Sequence, residues 1–135
     1  MQDAAFYLKS YNFSKVTIDY SYEKGEDVSL QILPTGEYSK AKSEYKLTFN
    51  FSANSGNESP FIIIVCDSIF KFKNVNDINE IPSFFFQNSI AILFPYIRAF
   101  VSTVTLQANH NPMILPTMNL SSLEELLRNS TTEVD

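Results

Sequence analysis

The sequence predicts an α+β fold in which a four-stranded antiparallel sheet is followed by one long and one shorter helix. Stretches with strand patterning fill the first half of the chain, and helical patterning begins only near residue 87. Because the strands come first and the helices last, they are expected to pair with one another antiparallel. The 135 residues suit one domain, residues 1–135.

The first two expected strands lie in the N-terminal quarter of the chain. Residues 5–22 alternate between apolar and polar side chains, but the alternation loses its phase around residues 11–13. A bulge there would restore the phase, so this stretch is one long strand or two strands joined by a bulge. Residues 28–32 form a short second strand, which Pro34 is expected to end.

Residues 44–53 predict the third strand, because they alternate cleanly, as in a strand with one face in a core and one in water. A polar turn over residues 54–60 separates it from a fourth strand over residues 61–73 and favours antiparallel pairing. Cys66 is the single cysteine, so an internal disulfide and a cysteine-based zinc site are excluded. We interpret Cys66 as a small buried apolar residue.

The stretch from Gln87 to His110 predicts a long helix with a broad apolar surface. Apolar residues recur there at helical spacing, and Arg98 is its one certain charge. Pro95 either kinks this helix or stands at its first helical position. Ser, Thr, Asn and Gln occupy the side where the surface helix of a small monomer would carry charges. The helix is therefore expected to be covered on more than one side, by a membrane or by a second copy of the protein.

A second copy is the better explanation, because Pro95, Arg98 and several polar residues interrupt the apolar stretch that a membrane span would need. We therefore expect an oligomer and no membrane insertion. The residues expected at the oligomer interface are Ile97, Val101, Val104 and Ala108. A charge placed among them, as in Val101→Asp, is expected to break the oligomer.

The segment after the long helix is apolar, although Pro112 and Pro116 keep it from being helical. Its large apolar residues are Met113, Ile114, Leu115 and Met118. Apolar surfaces that contain methionine suit promiscuous binding, because this side chain adapts its shape at little cost. The alternative is that the segment merely packs back onto the sheet.

A second, shorter helix follows, which a serine and a glutamate at capping-box spacing open near residue 121. Its apolar residues are Leu120, Leu123, Leu126 and Leu127. Residues 129–135 are expected to be a frayed polar tail.

Composition and motifs argue against several functions. The net charge of −5 would repel a phosphate backbone, so nucleic acid is not an expected partner. The sequence has no glycine-rich phosphate loop, no nucleophile elbow and no paired metal ligands, and the single histidine, His110, is interpreted as a helix-end or solvent-exposed residue. We therefore expect no enzyme, no catalytic residue, no metal site and no cofactor. The N-terminus is unlike a secretory signal, which favours a cytoplasmic protein.

A family resemblance spans most of the chain. The segment IAILFPYIRAFVSTVT opens a helix with Phe-Pro-Tyr-x-Arg, and Pro112 then leads into ILPTMNLSSLEELL. The matching residues are Leu93, Phe94, Pro95, Tyr96 and Arg98, then Pro112, Leu115, Pro116, Met118, Asn119 and Leu120. In these motifs and in its strand order, the sequence resembles the export chaperone SecB.

The resemblance implies a homotetramer, a dimer of dimers whose long helices lie between two sheets. It also implies an ATP-independent holdase that binds unfolded polypeptides or preproteins in apolar grooves built by the crossover, the second helix and the sheet. The groove positions that it marks are Met113, Ile114, Leu115, Met118, Leu120, Leu123 and Leu127, with Leu30 and Ile32 on the second strand.

The sequence departs from export-type SecB where that chaperone meets the SecA motor. Export-type members carry acidic residues on the first strand, whereas the aligned positions here are Val16 and Tyr20. This departure argues against docking to SecA. Similar chaperones that guard a toxin–antitoxin pair provide the alternative, which is a dedicated chaperone of one partner such as an antitoxin.

Overall fold

The computed structural model describes residues 5–23, 27–56, 59–117 and 119–135. Its main elements in chain order are β1 (Phe6–Ile18), β2 (Ser29–Ser39), β3 (Glu44–Asn54), β4 (Ile62–Phe72), α1 (Phe85–Gln107), α2 (Leu120–Ser130) and β5 (Thr132–Glu133). The predicted α+β fold, with the sheet first and then a long and a shorter helix, is confirmed. The sheet has one strand more than predicted.

The sheet has the strand order β1-β4-β3-β2-β5. The first four strands pair antiparallel, as predicted, whereas β5 lies parallel to β2. β5 forms because α2 returns the chain beside β2, where the Val134 N–H donates to the Tyr38 carbonyl at 3.0 Å. The prediction of a frayed tail is therefore wrong, since a two-residue strand is too short for any alternation pattern to mark it.

Two bulges keep β1 in phase with β4 along its whole length. The register shifts between Leu8 and Ser10 and again between Phe13 and Lys15, on either side of the point where the sequence pattern loses its phase. Each bulge adds a residue to β1, so its apolar side chains stay on one face of the sheet. Residues 6–18 thus form one continuous strand, the first of the two alternatives that the sequence left open, but the predicted extension to residue 22 is wrong, because Tyr20–Tyr22 form a short 3-10 helix.

β2 continues to Ser39 and does not end at Pro34. Pro34 pairs with Phe49 in an unbroken register with β3. A proline is tolerated in a strand near the edge of a sheet, and β5 joins the far side of β2 only beyond Pro34, beginning at Glu37. The predicted strand end is therefore wrong, because the sequence does not reveal how close a strand lies to the sheet edge.

Gly36 of β2 makes room for the ring of Tyr45 on β3. A Cβ at Gly36 would lie 1.7 Å from the Tyr45 hydroxyl oxygen. Tyr45 is fully buried, and its hydroxyl lies 2.5 Å from the Thr131 hydroxyl, which ties β3 to the end of α2. Burial raises the pKa of Tyr45 well above its usual value, so its hydroxyl keeps its proton.

An aromatic cluster around Phe85 fixes the first turn of α1 on the sheet. The Phe85 ring centroid lies 4.7 Å from that of Tyr45 and 4.8 Å from those of Phe6 and Phe72. Most of these contacts are edge-to-face, a favoured geometry for aromatic pairs. The cluster joins β1, β3 and β4 to the helix, so the start of α1 is held by three strands.

One face of α1 is buried against the sheet. The residues of this inner face recur at a spacing of three or four and are fully buried: Ile90, Leu93, Ile97 and Val101. Because α1 begins at Phe85, Pro95 lies inside the helix and not at its first position. By length and composition α1 could cross a membrane, with a mean hydropathy of 1.6 in its best window, but core helices of soluble proteins pass the same test.

Candidate functional site

The candidate site lies where the chain leaves α1. We call residues 109–117 the crossover segment. Asn109 begins it with a φ of 65°, a left-handed conformation that asparagine tolerates better than most residues. The Met113 N–H donates to the Thr105 hydroxyl at 2.9 Å, and the Ser102 hydroxyl donates to the Met113 carbonyl at 2.9 Å. Both backbone polar groups of Met113 are thereby bound by side chains of α1.

These hydrogen bonds determine which crossover side chains face outward. Leu115 is fully buried in the core, whereas its neighbour Ile114 keeps 64% of its surface exposed. Met113 is half-buried and packs against the core. Both sequence-based alternatives are therefore partly right. The segment packs onto the core through Leu115, and it exposes Ile114 to solvent.

A largely apolar groove runs between α1 and the crossover segment. It consists of two open cavities with volumes of about 410 and 230 Å³, which share Phe94 and Arg98. The other lining residues are Ala91, Pro95, Ala99, Ser102, Ile114, Thr117 and Leu120. We call this the α1–crossover groove. It can receive apolar side chains along one side of α1, because the residues that line it recur at helical spacing.

Arg98 supplies the one charge among the lining residues of the groove. Its side chain is exposed, and no carboxylate in the described part of the chain lies within ion-pair distance of it. The groove therefore combines an apolar surface with a single cationic hydrogen-bond donor.

Some of the predicted groove residues do lie at the α1–crossover groove. Ile114 and Leu120 line it, and Met113 borders it through the hydrogen bond from Ser102. Met118 lies outside the described residues. Binding of a polypeptide by these residues stays a prediction.

Three other predicted groove residues are closed off within the chain. Leu115, Leu123 and Leu127 are 0%, 7% and 0% exposed and belong to the hydrophobic core. The prediction that these three residues form a groove wall is therefore wrong for this structure. The spacing of Leu123 and Leu127 marks an apolar face of α2, and these two residues pack on the rest of the chain instead of lining the open groove.

The two predicted positions on β2 also lie away from the groove. Leu30 and Ile32 are half-buried and pack against the edge of the core. Leu30 lines a separate open cavity beside Pro60, at the far end of β2. These two residues are therefore not part of the α1–crossover groove.

The groove wall contributed by α1 was missed as a site. Phe94 and Arg98 stand out in the sequence as motif residues, but their role as groove lining was not predicted. A signal was present, since Phe94, Arg98 and Ser102 recur every four residues and so share one helix face. What the sequence did not reveal is that the crossover segment leaves this face uncovered.

The predicted interface residues do not share one exposed face. Ile97 and Val101 are fully buried against the chain's own sheet, so a second copy has no access to them. Val104 is half-buried and Ala108 is exposed. The prediction is wrong for Ile97 and Val101, because the periodicity of a broadly apolar helix does not mark which side meets the sheet.

The opposite side of α1, which we call its outer face, is nonetheless apolar. Its large exposed residues are Ile92, Tyr96 and Leu106, at 40%, 44% and 55%. The ring centroid of Tyr96 lies 4.6 Å from that of Tyr11 on β1, which is itself 41% exposed. The exposed apolar surface therefore continues from α1 onto a strand at the edge of the sheet.

Cys66 and His110 show no arrangement for catalysis. Cys66 is fully buried, as predicted, and burial raises the pKa of its thiol to about 11. His110 is exposed, and its ring stacks on that of Tyr20 at 3.6 Å. Among the described residues, no group of three or more metal-ligating side chains occurs.

The fold and the groove can be set beside known proteins. A family model described as "Preprotein translocase subunit SecB" matches residues 2–127. The structure is similar to that of the Mycobacterium tuberculosis Rv1957 SecB-like chaperone, solved in complex with a ChAD peptide from the Rv1956 HigA1 antitoxin. The TM-score is 0.63, the sequence identity is 14%, and the match covers 84% of this chain and 91% of that chain.

A relative with higher sequence identity matches over a shorter stretch. The protein MJ0357 of Methanocaldococcus jannaschii is 43% identical over 58 residues. The match covers 40% of this chain and 37% of that protein, so the chain aligns with little more than a third of its relative.

Proposed function

This chain belongs to the SecB family of chaperones, and from that premise we propose that it is an ATP-independent holdase that binds unfolded polypeptides in the α1–crossover groove. The observation that carries the proposal is the position of Ile114. It is 64% exposed at the rim of the groove, on a segment that hydrogen bonds hold against α1. An exposed apolar groove of this kind is typical of a surface that receives another polypeptide.

The chemistry of the groove suits many clients. Each large apolar side chain that is buried contributes roughly 1.5–3 kcal/mol, and weak contacts along one client chain add through avidity. Because Met113 is already anchored on α1, little conformational entropy is lost when a client binds. Burial of apolar surface needs neither nucleotide nor catalytic group, which agrees with a family of chaperones that are not enzymes.

We further propose that the protein works in the cytoplasm as a homotetramer, a dimer of dimers. The support is the outer face of α1, whose exposed Ile92 and Tyr96 join the aromatic surface of β1. A continuous apolar surface of this kind is typical of a contact between subunits. In an oligomer, several grooves would bind one client at once, which raises the avidity.

A second candidate function is a dedicated chaperone of one partner, such as an antitoxin. It is favoured by the sequence of β1, which carries no acidic residue that could meet the SecA motor in the manner of export-type members. The structurally similar Mycobacterium tuberculosis chaperone was solved with an antitoxin peptide. A small protein that co-purifies in fixed proportion would favour this candidate, whereas protection of many unrelated proteins favours the general holdase.

Suppression of aggregation tests the proposed function. Without nucleotide, the purified protein is expected to keep a chemically denatured model protein from scattering light after dilution. Ile114→Ser should weaken this protection, because it removes the most exposed large apolar side chain of the groove.

The matched control is Leu33→Ser. Leu33 is also an exposed aliphatic residue, at 43%, but it lies on β2 and does not line the groove. Its loss is expected to leave protection unchanged. Equal protection by both variants would show that the α1–crossover groove is not the binding surface, and no protection by the unaltered protein would refute the holdase.

A further inference from the structure

Thr105 is a buried polar residue in the last turn of α1, just before the crossover segment begins. Its hydroxyl oxygen accepts from the Met113 N–H at 2.9 Å and lies 2.8 Å from the Val101 carbonyl oxygen, to which the hydroxyl donates. Its backbone carbonyl accepts from the His110 N–H at 3.2 Å. Thr105 therefore binds the crossover segment twice, once through its side chain and once through its backbone.

Only the side-chain bond needs a hydroxyl at this position. The backbone bond belongs to the motif that ends α1, in which Asn109 is left-handed and its N–H donates to the Leu106 carbonyl at 2.9 Å. This pair of bonds is the Schellman pattern of a helix C-terminus, which depends on the main chain alone. The Thr105 hydroxyl therefore acts on the crossover segment and not on the helix end.

Ile114 follows Met113 and keeps 64% of its surface exposed, although it borders an open apolar space. That space is the larger cavity of the α1–crossover groove, about 410 Å³, whose walls include Phe94, Pro95 and Ala99. Cavities of this size hold small organic ligands, so there is room for one more side chain. Because burial of a large apolar side chain is favourable, a crossover segment that was free to move would bury Ile114 in the cavity.

Met113 is anchored at both of its backbone polar groups, which opposes that movement. Besides the bond to Thr105, the Ser102 hydroxyl donates to the Met113 carbonyl at 2.9 Å. That carbonyl belongs to the planar peptide group that links Met113 to Ile114, so turning Ile114 inward rotates this group away from α1. The bonds that hold Met113 and the burial of one isoleucine are similar in free energy, so the position of Ile114 depends on a close balance.

We propose that Thr105 is a positioning residue that keeps the α1–crossover groove open, because its hydroxyl holds Met113 where Ile114 cannot close the cavity. The inference rests on the proposed function and names a residue that controls access to the groove without lining it. The groove then has two states, the open state of the structure and a closed state with Ile114 buried. A client binds the open state alone.

Loss of the hydroxyl is expected to slow the binding of a client without speeding its release. The apparent dissociation constant rises in inverse proportion to the fraction of the protein that is open. With about a tenth of the protein open, Thr105→Val should bind a client about tenfold more weakly. Because the contacts with the client are unchanged, the effect falls on the association rate, whereas most changes within a binding surface act on the dissociation rate.

Stopped-flow fluorescence measures both rates with a labelled, reduced and alkylated model protein, which stays unfolded without denaturant. Thr105→Val should reduce the association rate about tenfold, and Thr105→Ser, which retains the hydroxyl, should keep it close to the original value. The matched control is Thr103→Val, the same change at an exposed position of α1 outside the groove, which should alter neither rate. Faster dissociation of Thr105→Val at an unchanged association rate would refute the proposal.

The exposure of Ile114 can be measured without a client. In methyl NMR spectra, a soluble paramagnetic agent should broaden the Ile114 methyl signals strongly in the unaltered protein, where the side chain is exposed. The broadening should be much weaker in Thr105→Val, because the isoleucine is buried in the closed state. Equal broadening in the two proteins would show that no closed state forms.

A double variant separates closure of the groove from a general loosening of the fold. In the unaltered background, Ile114→Ser removes a residue of the groove and should weaken binding. In the Thr105→Val background the same change removes the side chain that closes the cavity, so the double variant should bind no more weakly than Thr105→Val alone. Two losses that simply add would contradict the proposal.

A failure of the proposed function is distinguishable from a failure of this inference. If the unaltered protein binds no unfolded protein, the proposed function fails, and the NMR comparison still decides whether Thr105 controls the position of Ile114. If Thr105→Val does not fold, Ser102→Ala removes the other bond to Met113 at a half-buried position and should also lower the association rate. Unchanged association in Ser102→Ala would then overturn the inference.

Discussion

Both sides of α1 are apolar, but they have different roles. The inner face is fully buried on the sheet, from Ile90 through Leu93 to Val101, and needs nothing beyond this chain. The outer face leaves Ile92 and Tyr96 about 40% exposed, and the groove beside it leaves Ile114 still more exposed. The difference teaches that a broadly apolar helix can combine the surface that folds the chain with surfaces that the chain leaves for other polypeptides.

The largest expected effect is at the aromatic cluster, which holds the start of α1 on the sheet. Phe85→Ala removes the ring at the centre of the aromatic cluster and should lower the free energy of unfolding by about 3–5 kcal/mol. The neighbouring Phe84 is 52% exposed, so Phe84→Ala should cost less than about 1 kcal/mol. Urea unfolding of both variants measures the contrast, and similar losses would mean that the two sides of the first turn are not distinct.

The crossover segment provides the same contrast within two adjacent residues. Leu115→Ala should lower the free energy of unfolding by about 2–5 kcal/mol, because Leu115 is fully buried. Ile114→Ser should change it by less than about 1 kcal/mol while weakening protection of a denatured client. Unfolding curves and light scattering on the two variants test whether stability and client binding reside in separate residues.

The space between Gly36 on β2 and the Tyr45 ring is expected to have no room for an added methyl group. In Gly36→Ala the new methyl group meets the Tyr45 hydroxyl, and the resulting strain should cost about 1–3 kcal/mol. Removing that hydroxyl in the double variant with Tyr45→Phe should recover part of the loss. A double-mutant cycle from thermal unfolding measures this coupling, and simple additivity of the two losses would argue against the clash.

The smallest effect on stability is expected on the outer face of α1. Tyr96→Asp should change the free energy of unfolding of a single chain by only about 0.5 kcal/mol, because the residue is exposed. It should nevertheless reduce the mass in solution, since a charge in a buried subunit contact is strongly unfavourable. Light scattering measures the mass, with Thr35→Asp on β2 as a control; an unchanged mass would show that this face is not an interface.

A test of oligomer formation needs a variant on the outer face of α1, and Val101→Asp does not provide one. The sequence suggested it as a test of oligomer formation, but Val101 is fully buried within one chain. A charge there would unfold the subunit and report nothing about assembly. Helical periodicity identified the apolar residues of α1 correctly, and the docking of the helix on the sheet decided which of them remain accessible.

The same distinction runs through the candidate site. The apolar character of the crossover segment was visible in the sequence, whereas the division between Leu115 and Ile114 depends on two hydrogen bonds from α1 to Met113. Leu123 and Leu127 of α2 were expected to wall a groove and instead form part of the core. Phe94 and Arg98 line the groove because the crossover segment leaves their side of α1 open.

The sequence alone determined the order of the first four strands and the two helices and the antiparallel pairing of those strands, because alternation and helical spacing are local properties of the chain. The family was indicated by the resemblance of the Phe-Pro-Tyr-x-Arg and crossover motifs to those of SecB. Tertiary structure decided which apolar residues became core and which stayed exposed, the second bulge in β1 and the pairing of β5. These features depend on contacts between residues far apart in the chain, such as the hydrogen bond between Tyr45 and Thr131, which no local pattern encodes.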